Sequence, residues 1–185
     1  MDTLVSLLVF FQALGASVGA LLSIWSEFVY IRAMRDGRID VAETAHMKIM
    51  ANGLRFGMTI MLLASLGLVI VSYVLRDTLQ PTLSAGYWIF IMFALLIISI
   101  SWALSRRRIS FALGSATVFT AWWFLAYLTL GWLYPLSFGS AVAFLIVATA
   151  VIYAILHYAR MLAVHTRINS RQSDDASDGA SLAQK

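Results

Sequence analysis

Four polar side chains interrupt the apolar stretches of this chain, and their types could do chemistry inside a membrane: Gln12, Glu27, Arg55 and His157. A carboxylate, a guanidinium or an imidazole is costly to place in lipid, so each is a functional-site hypothesis by default. A carboxylate and an imidazole exchange protons, whereas an amide and a guanidinium hydrogen-bond polar ligands. The set is therefore compatible with a transport or proton-conducting site.

Glu27 and Arg55 occupy matching positions on consecutive predicted helices. Glu27 lies one turn from the end of the first apolar span, and Arg55 lies one turn from the start of the second. Adjacent antiparallel helices would bring the two side chains to a similar depth, so we predict a salt bridge between them. The alternative is that the Glu27 carboxylate serves as a proton or ligand site.

A stripe of small residues precedes Glu27 on the same helix. Gly15, Gly19, Ser23 and Glu27 are spaced by four, which places them on one helix face, and Gln12 lies close to the same line. A Gly-x-x-x-Gly pattern allows a second helix to approach closely, and an amide adds an interhelical hydrogen bond. We predict that this face packs on a neighbouring helix. The alternative is a polar track that lines a pocket.

The three histidines do not form a recognisable ligand set. His46 falls on the part of helix 2 predicted to be in water, His157 lies one turn inside the last span, and His165 lies beyond it. A bis-histidine haem requires two imidazoles at matching depth on facing helices, and no pair clearly meets that requirement. Metal-ligand spacing and catalytic signature motifs are also absent from the sequence. We predict no catalytic residue, no metal and no cofactor, with a b-type haem as the alternative.

The elements that must position these groups are membrane-spanning helices. The chain has 185 residues, of which 61% are hydrophobic and 12% are charged, whereas soluble domains carry about 25% charged residues. Long uncharged runs indicate an all-α protein embedded in a bilayer. We predict one membrane domain of residues 1–165, in which helix 2 begins in the cytoplasm at residue 41, and a disordered tail at 166–185. The five predicted spans are 4–30, 53–75, 87–104, 109–133 and 139–163.

Lysine and arginine concentrate on one side of the predicted bundle, which sets its orientation. The loop between spans 1 and 2, the turn Arg106, Arg107 and Arg108, and the segment from Arg160 onward are basic, whereas the opposite side carries only Arg76. By the positive-inside rule, the N-terminus lies outside and the C-terminus lies in the cytoplasm. The three turn arginines are topology determinants first and contacts for anionic lipid headgroups second.

The tryptophans agree in part with this arrangement. Trp88 and Trp132 fall at the outer membrane boundary and Trp102 at the inner one, where indole rings favour the headgroup region. Trp122 and Trp123 fall near the middle of span 4. We therefore expect at least one of these two to face the interior of the bundle.

Two segments resemble those of small uncharacterised bacterial membrane proteins. They are Phe28–Glu43, which contains Arg-Ala-x-Arg-Asp-Gly-Arg-Ile-Asp, and Gly57–Gly67, while Ser110–Gly131 is weakly similar. The architecture of those proteins is similar to that of copper-resistance-D-like and cytochrome-b561-like helical bundles. The resemblance implies a bacterial inner-membrane protein. In haem-binding relatives it also implies a histidine within the first span, where this chain has Gln12 and no histidine.

The apolar interior, the narrow polar face and the lack of catalytic groups favour a non-enzymatic integral membrane protein with a structural or assembly role. One alternative is a small transporter or proton-conducting protein that acts as an oligomer, because five spans enclose little space. The other is a membrane redox protein that holds a haem or a quinone. The expected partners are the bilayer, anionic headgroups of the plasma or inner membrane, and a second copy or a partner subunit. The net charge of +4 comes from arginines at span ends and does not predict nucleic-acid binding.

Overall fold

The computed structural model describes residues 2–35, 39–74, 84–131 and 137–183. The helices are α1 (Asp2–Arg35), α2 (Ile39–Gly53), a π-helical turn (Leu54–Met58), α3 (Thr59–Val74), α4 (Ala85–Ser105), α5 (Phe111–Thr129) and α6 (Phe138–Ala183). The described residues contain no strand. Five stretches are long and apolar enough to cross a membrane: Thr3–Arg32, Thr44–Val74, Ala85–Ser105, Phe111–Thr129 and Phe138–His165. The predicted all-α fold with five spans is confirmed.

The second span is one helical run from Ile39 to Val74 that is interrupted by the π-helical turn. A single helix from residue 41 to about Leu75 was predicted there, and Leu75 lies outside the described residues. The π-helical turn was not predicted. Gly57, inside this turn, lies against α1, and the hydroxyl of Thr59 donates a hydrogen bond to the Arg55 carbonyl. Single π-helical turns are rare within helices and frequent at functional sites.

Helix α1 packs against α2, α3, α5 and α6, and its glycines allow the closest of these contacts. A methyl group built on Gly15 would lie 2.7 Å from the Gly57 carbonyl oxygen, and one built on Gly19 would lie 2.2 Å from the Trp122 ring. Gly15 therefore permits backbone contact with the π-helical turn, whereas Gly19 accommodates an indole. The small-residue face lies at a helix interface, where it contacts two different helices.

The helices differ strongly in how far the rest of the bundle encloses them. Within its most apolar stretch, α5 is 56% buried, whereas α6 is 11% buried. Helix α5 therefore lies inside the bundle and α6 lies at its edge. Trp122 on α5 is buried, as expected for at least one of the two central tryptophans, and Phe93 of α4 stacks on Phe124 of α5 at 4.5 Å between ring centroids. These contacts form the centre of the apolar core.

The turn between α4 and α5 is compact and basic. Arg107 adopts a positive φ of 52°, and the guanidinium groups of Arg106 and Arg108 lie 5.4 and 5.5 Å from the Trp102 ring. The three arginines and Trp102 are exposed. One end of the bundle contains this turn, the end of α1 and Arg160. We call it the basic end. The opposite end contains Gln12 and the start of α4 (Ala85).

Helix α6 has 46 residues, which corresponds to about 69 Å at 1.5 Å per residue. It continues to Ala183, inside the predicted tail 166–185, whose disorder stays a prediction. No proline follows Pro135, so a helix already formed by the span can add residues without a new nucleation step. The predicted outer-boundary residue Trp132 and the loop residues Arg76 and Pro81 lie outside the described residues.

Candidate functional site

A buried ion pair joins α1 to α6 near the basic end. Nη2 of Arg160 donates a hydrogen bond of 2.7 Å to Oε2 of Glu27 and another of 2.8 Å to the hydroxyl of Ser115 on α5. Glu27 is 4% exposed, Arg160 is 6% exposed and Ser115 is 1% exposed. Three helices therefore meet at one charged, hydrogen-bonded contact that the bundle shields from its surroundings.

His46 on α2 is the fourth member of this cluster. Its Nε2 lies 3.9 Å from Oε1 of Glu27, and the side chain is 1% exposed. Neither ring nitrogen has a hydrogen-bond partner of ordinary geometry, although the backbone of Ser26 lies beside the ring. At 3.9 Å the two atoms are within electrostatic range but too far apart for a hydrogen bond. The imidazole is thus buried beside a carboxylate and the Ser26 backbone, without a hydrogen bond of ordinary geometry at either ring nitrogen.

Two aromatic rings cover the cluster. The Arg160 guanidinium lies 4.9 Å from the Tyr30 ring and 5.6 Å from the Phe111 ring, within the range of a cation–π interaction. The same rings meet the imidazole of His46 edge-on, with centroids 5.8 and 4.8 Å away. Tyr30 and Phe111 therefore surround both nitrogen-bearing groups and replace water with weakly polar surface.

The hydroxyls on α1 near the cluster are already occupied. Ser23 donates to the Ala20 carbonyl at 2.7 Å, and Ser26 donates to the Ser23 carbonyl at 2.8 Å. Such bonds to the preceding turn are typical of serine within apolar helices. Consequently neither hydroxyl provides a hydrogen for Oε1 of Glu27, which has no partner among the described residues.

The chemistry open to this cluster follows from its unused atoms: Oε1 of Glu27, both nitrogens of His46 and Nε of Arg160. A neutral imidazole carries one N–H and one lone pair, and a carboxylate only accepts. A proton placed between Nε2 and Oε1 would turn the 3.9 Å gap into a charge-assisted hydrogen bond after a movement of about 1 Å. The geometry is therefore suited to binding and releasing a proton.

The predicted pair between Glu27 and Arg55 is not present. Arg55 lies in the π-helical turn with an exposed side chain, and Glu27 is bonded to Arg160 instead. The reason is that α6 lies against α1 at the depth of Glu27. The π-helical turn instead meets α1 at Gly15, which is nearer the start of that helix. Similar depth on consecutive helices was therefore not enough to define the contact.

Gln12 and His157 also lie apart from the cluster. Gln12 is at the opposite end, where it lines a cavity of about 280 Å³ together with Ser65 and Thr129. His157 is exposed on α6 and its ring stacks on Tyr153 with centroids 5.9 Å apart. Thus, of the four polar residues singled out in the sequence, only Glu27 belongs to the buried cluster.

The hypothetical polar track from Gln12 to Glu27 is closed in this structure. Ser23 is 5% exposed and bonded to its own helix, and the Trp122 ring covers Gly19. At Gly19 an indole, and not a polar group, therefore lies against this face of α1.

The sequence analysis missed two of the ionisable residues in the cluster. His46 was placed in water because the start of helix 2 is polar, but the structure buries it between Tyr30 and Phe111. Arg160 was assigned to the basic flank of the last span. One signal was available: the predicted span 139–163 contains Arg160, so Arg55 was not the only basic residue at a suitable depth.

Within the described residues, no group of three or more His, Cys, Asp or Glu side chains is arranged to hold a metal ion. Comparison of the chain with models of known protein families, with curated proteins and with solved structures found no match.

Proposed function

We propose that this chain is a multi-pass membrane protein that binds and releases a proton at Glu27, His46 and Arg160 as part of a transport cycle. The observation that carries this proposal is the position of His46, whose Nε2 faces Oε1 of Glu27 at 3.9 Å while neither ring nitrogen makes a hydrogen bond of ordinary geometry. We place the basic end in the cytoplasm, because the positive-inside rule favours that side for the arginine-rich loops.

A purely structural role would require only the pair of Glu27 and Arg160. An unsatisfied buried polar group costs about 1–3 kcal/mol, and His46 adds two such nitrogens to the interior. An apolar side chain between Tyr30 and Phe111 would avoid this cost. A proton-binding role accounts for the imidazole, because a protonated His46 would attract the Glu27 carboxylate as a charge and not only as a dipole.

The charge of the cluster changes with this proton. With Glu27 ionised, Arg160 ionised and His46 neutral, the formal charges cancel; one added proton leaves a single positive charge. Bringing a net charge into an apolar interior is unfavourable unless a counter-ion or a structural change accompanies it. Proton binding is therefore expected to be linked to anion binding or to a rearrangement of α6, which is the least enclosed helix.

The proposal predicts a proton flux that depends on Glu27. In proteoliposomes loaded with a pH-sensitive dye and energised by a potassium gradient with valinomycin, the wild-type chain is expected to move protons. Glu27→Gln and His46→Phe are each expected to lower the rate by about 10²-fold, which is typical for loss of a positioned proton-transfer group.

The matched controls for this flux are Arg55→Gln and His157→Gln, because both residues are exposed and outside the cluster. Both should retain the wild-type rate. Undiminished flux in a folded Glu27→Gln variant would contradict the proposal.

A packing or assembly role is the second candidate, and the surface of α6 favours it. Large apolar side chains on this helix are strongly exposed, among them Ile146, Val147 and Tyr158 at 63–66%. Such a face can pack on a second copy or on a partner subunit. This candidate is distinguished by the same experiment, since an assembly subunit would show no flux above that of empty liposomes.

A further inference from the structure

A groove at the basic end is separate from the cluster of Glu27, His46 and Arg160 but shares one wall with it. It has a volume of about 580 Å³, within the usual range of small-molecule sites. Its lining comes from α1, α5 and α6 and includes Tyr30, Ala112, His157, Tyr158, Arg160 and His165. Arg160 forms the shared wall, with Glu27 bonded behind it.

We infer that this groove binds an anionic phospholipid of the surrounding bilayer, with its phosphate near Arg160 and the two histidines. The first observation is the state of Arg160, which is 6% exposed and whose Nε makes no hydrogen bond within the described part of the chain. Arg160 lines the groove, and a phosphate oxygen that reaches its guanidinium would supply the acceptor that Nε lacks.

The second observation is the chemical character of the lining. Its nitrogen-bearing groups are Arg160, His157 and His165, and no carboxylate is among the described residues that line it. The remaining side chains are mainly apolar, among them Met161 and Val164. Donors beside a hydrocarbon surface fit a ligand that has an anionic headgroup and an acyl chain, whereas a small water-soluble anion would leave the apolar wall uncovered.

The third observation is the direction in which the groove opens. Tyr158 and Met161 are 66% and 61% exposed, on the helix whose span is only 11% buried. This part of α6 therefore faces the region that a bilayer fills, so a lipid can enter the groove sideways from the membrane. The basic Arg106–Arg108 turn lies at the same end and attracts anionic headgroups to this surface.

The test is native mass spectrometry of the full-length protein in mild detergent, titrated separately with phosphatidylglycerol and phosphatidylcholine of identical acyl chains. We expect phosphatidylglycerol to bind at least about fivefold more tightly, which is the effect of roughly one basic group near an anionic membrane surface. The double variant His157→Ala/His165→Ala should weaken this preference, since only Arg160 then remains as a basic lining residue. Both histidines are exposed and lie outside the ion pair, so the variant is expected to fold.

The matched control is Lys48→Ala, which removes an exposed basic residue of α2 outside the groove. It should keep the preference for phosphatidylglycerol. Equal affinity for the two lipids, or an unchanged preference in the double histidine variant, would overturn the inference. Stronger competition by oleate or by a ubiquinone than by phosphatidylglycerol would assign the groove to a different amphiphile and would also overturn it.

Discussion

Replacing Arg160 by Met is expected to lower the free energy of unfolding by about 3–5 kcal/mol, the usual cost of leaving one partner of a buried ion pair uncompensated. The reason is that Glu27, 4% exposed, would lose its 2.7 Å hydrogen bond and keep its charge in an apolar interior. The double variant Glu27→Leu/Arg160→Met should recover most of this loss, because both charges are then removed and the volume is retained. Denaturation in mixed detergent micelles, followed by far-UV circular dichroism, measures the difference.

Arg55→Met is the control that separates this account from the pairing expected from the sequence. Its side chain is exposed in the π-helical turn, so removal of its charge should change the unfolding free energy by less than about 0.5 kcal/mol. Two results would argue against the observed pair: additive effects of the changes at Glu27 and Arg160, or a larger effect of Arg55→Met than of Arg160→Met.

The second large effect is expected at Gly19, where even a methyl group does not fit. An added Cβ would lie 2.2 Å from two carbons of the Trp122 ring, and this indole is 3% exposed and cannot easily move away. Gly19→Ala should therefore destabilise the protein by about 1–3 kcal/mol, the usual cost of overpacking. Because the clash has one identified cause, Gly19→Ala should cost less in a Trp122→Leu background than in the wild-type chain.

Gly86→Ala is the matched control for this substitution. Gly86 lies in the first turn of α4 and a Cβ there would meet nothing within 4 Å, so the change should be neutral or slightly stabilising. The same denaturation assay applies. Equal losses in Gly19→Ala and Gly86→Ala, or the same cost of Gly19→Ala with and without Trp122→Leu, would show that the indole is not the cause.

The spans were predictable because hydropathy and charge report directly on depth in a membrane. The five predicted segments, from 4–30 to 139–163, match the five apolar helices of the structure. The small-residue face of α1 was also readable, since Gly15 and Gly19 at a spacing of four indicate a close approach before the neighbour is known. These features depend on local sequence alone.

The partner of Glu27 was not predictable in the same way, because depth does not define the arrangement of helices around α1. Two basic residues, Arg55 and Arg160, fall within predicted spans at comparable distances from the basic end. Choosing between them requires knowing which helix faces Glu27, and this is determined by packing contacts between residues more than 100 positions apart. Proximity in the chain favoured Arg55, whereas packing of α6 on α1 selected Arg160.

His46 illustrates a different reason for a missed residue. The start of helix 2 is polar on average, so its sequence indicates exposure to water, yet one face of it packs on α1 and Phe111. The average polarity of a segment does not reveal that a single position in it is buried. Only the three-dimensional contact between α1, α2 and α5 places this imidazole beside Glu27.

Proton binding at His46 can be observed by nitrogen-15 NMR of the histidine side chains in the protein reconstituted in nanodiscs. The chain has three histidines, so the His46 signals can be assigned by their loss in His46→Phe. Between about pH 5 and 9, the range around the usual imidazole pKa, we expect a protonation step at His46 whose midpoint changes in Glu27→Gln. No protonation of His46 over this range, or identical His46 titrations with and without the Glu27 carboxylate, would contradict the proposal.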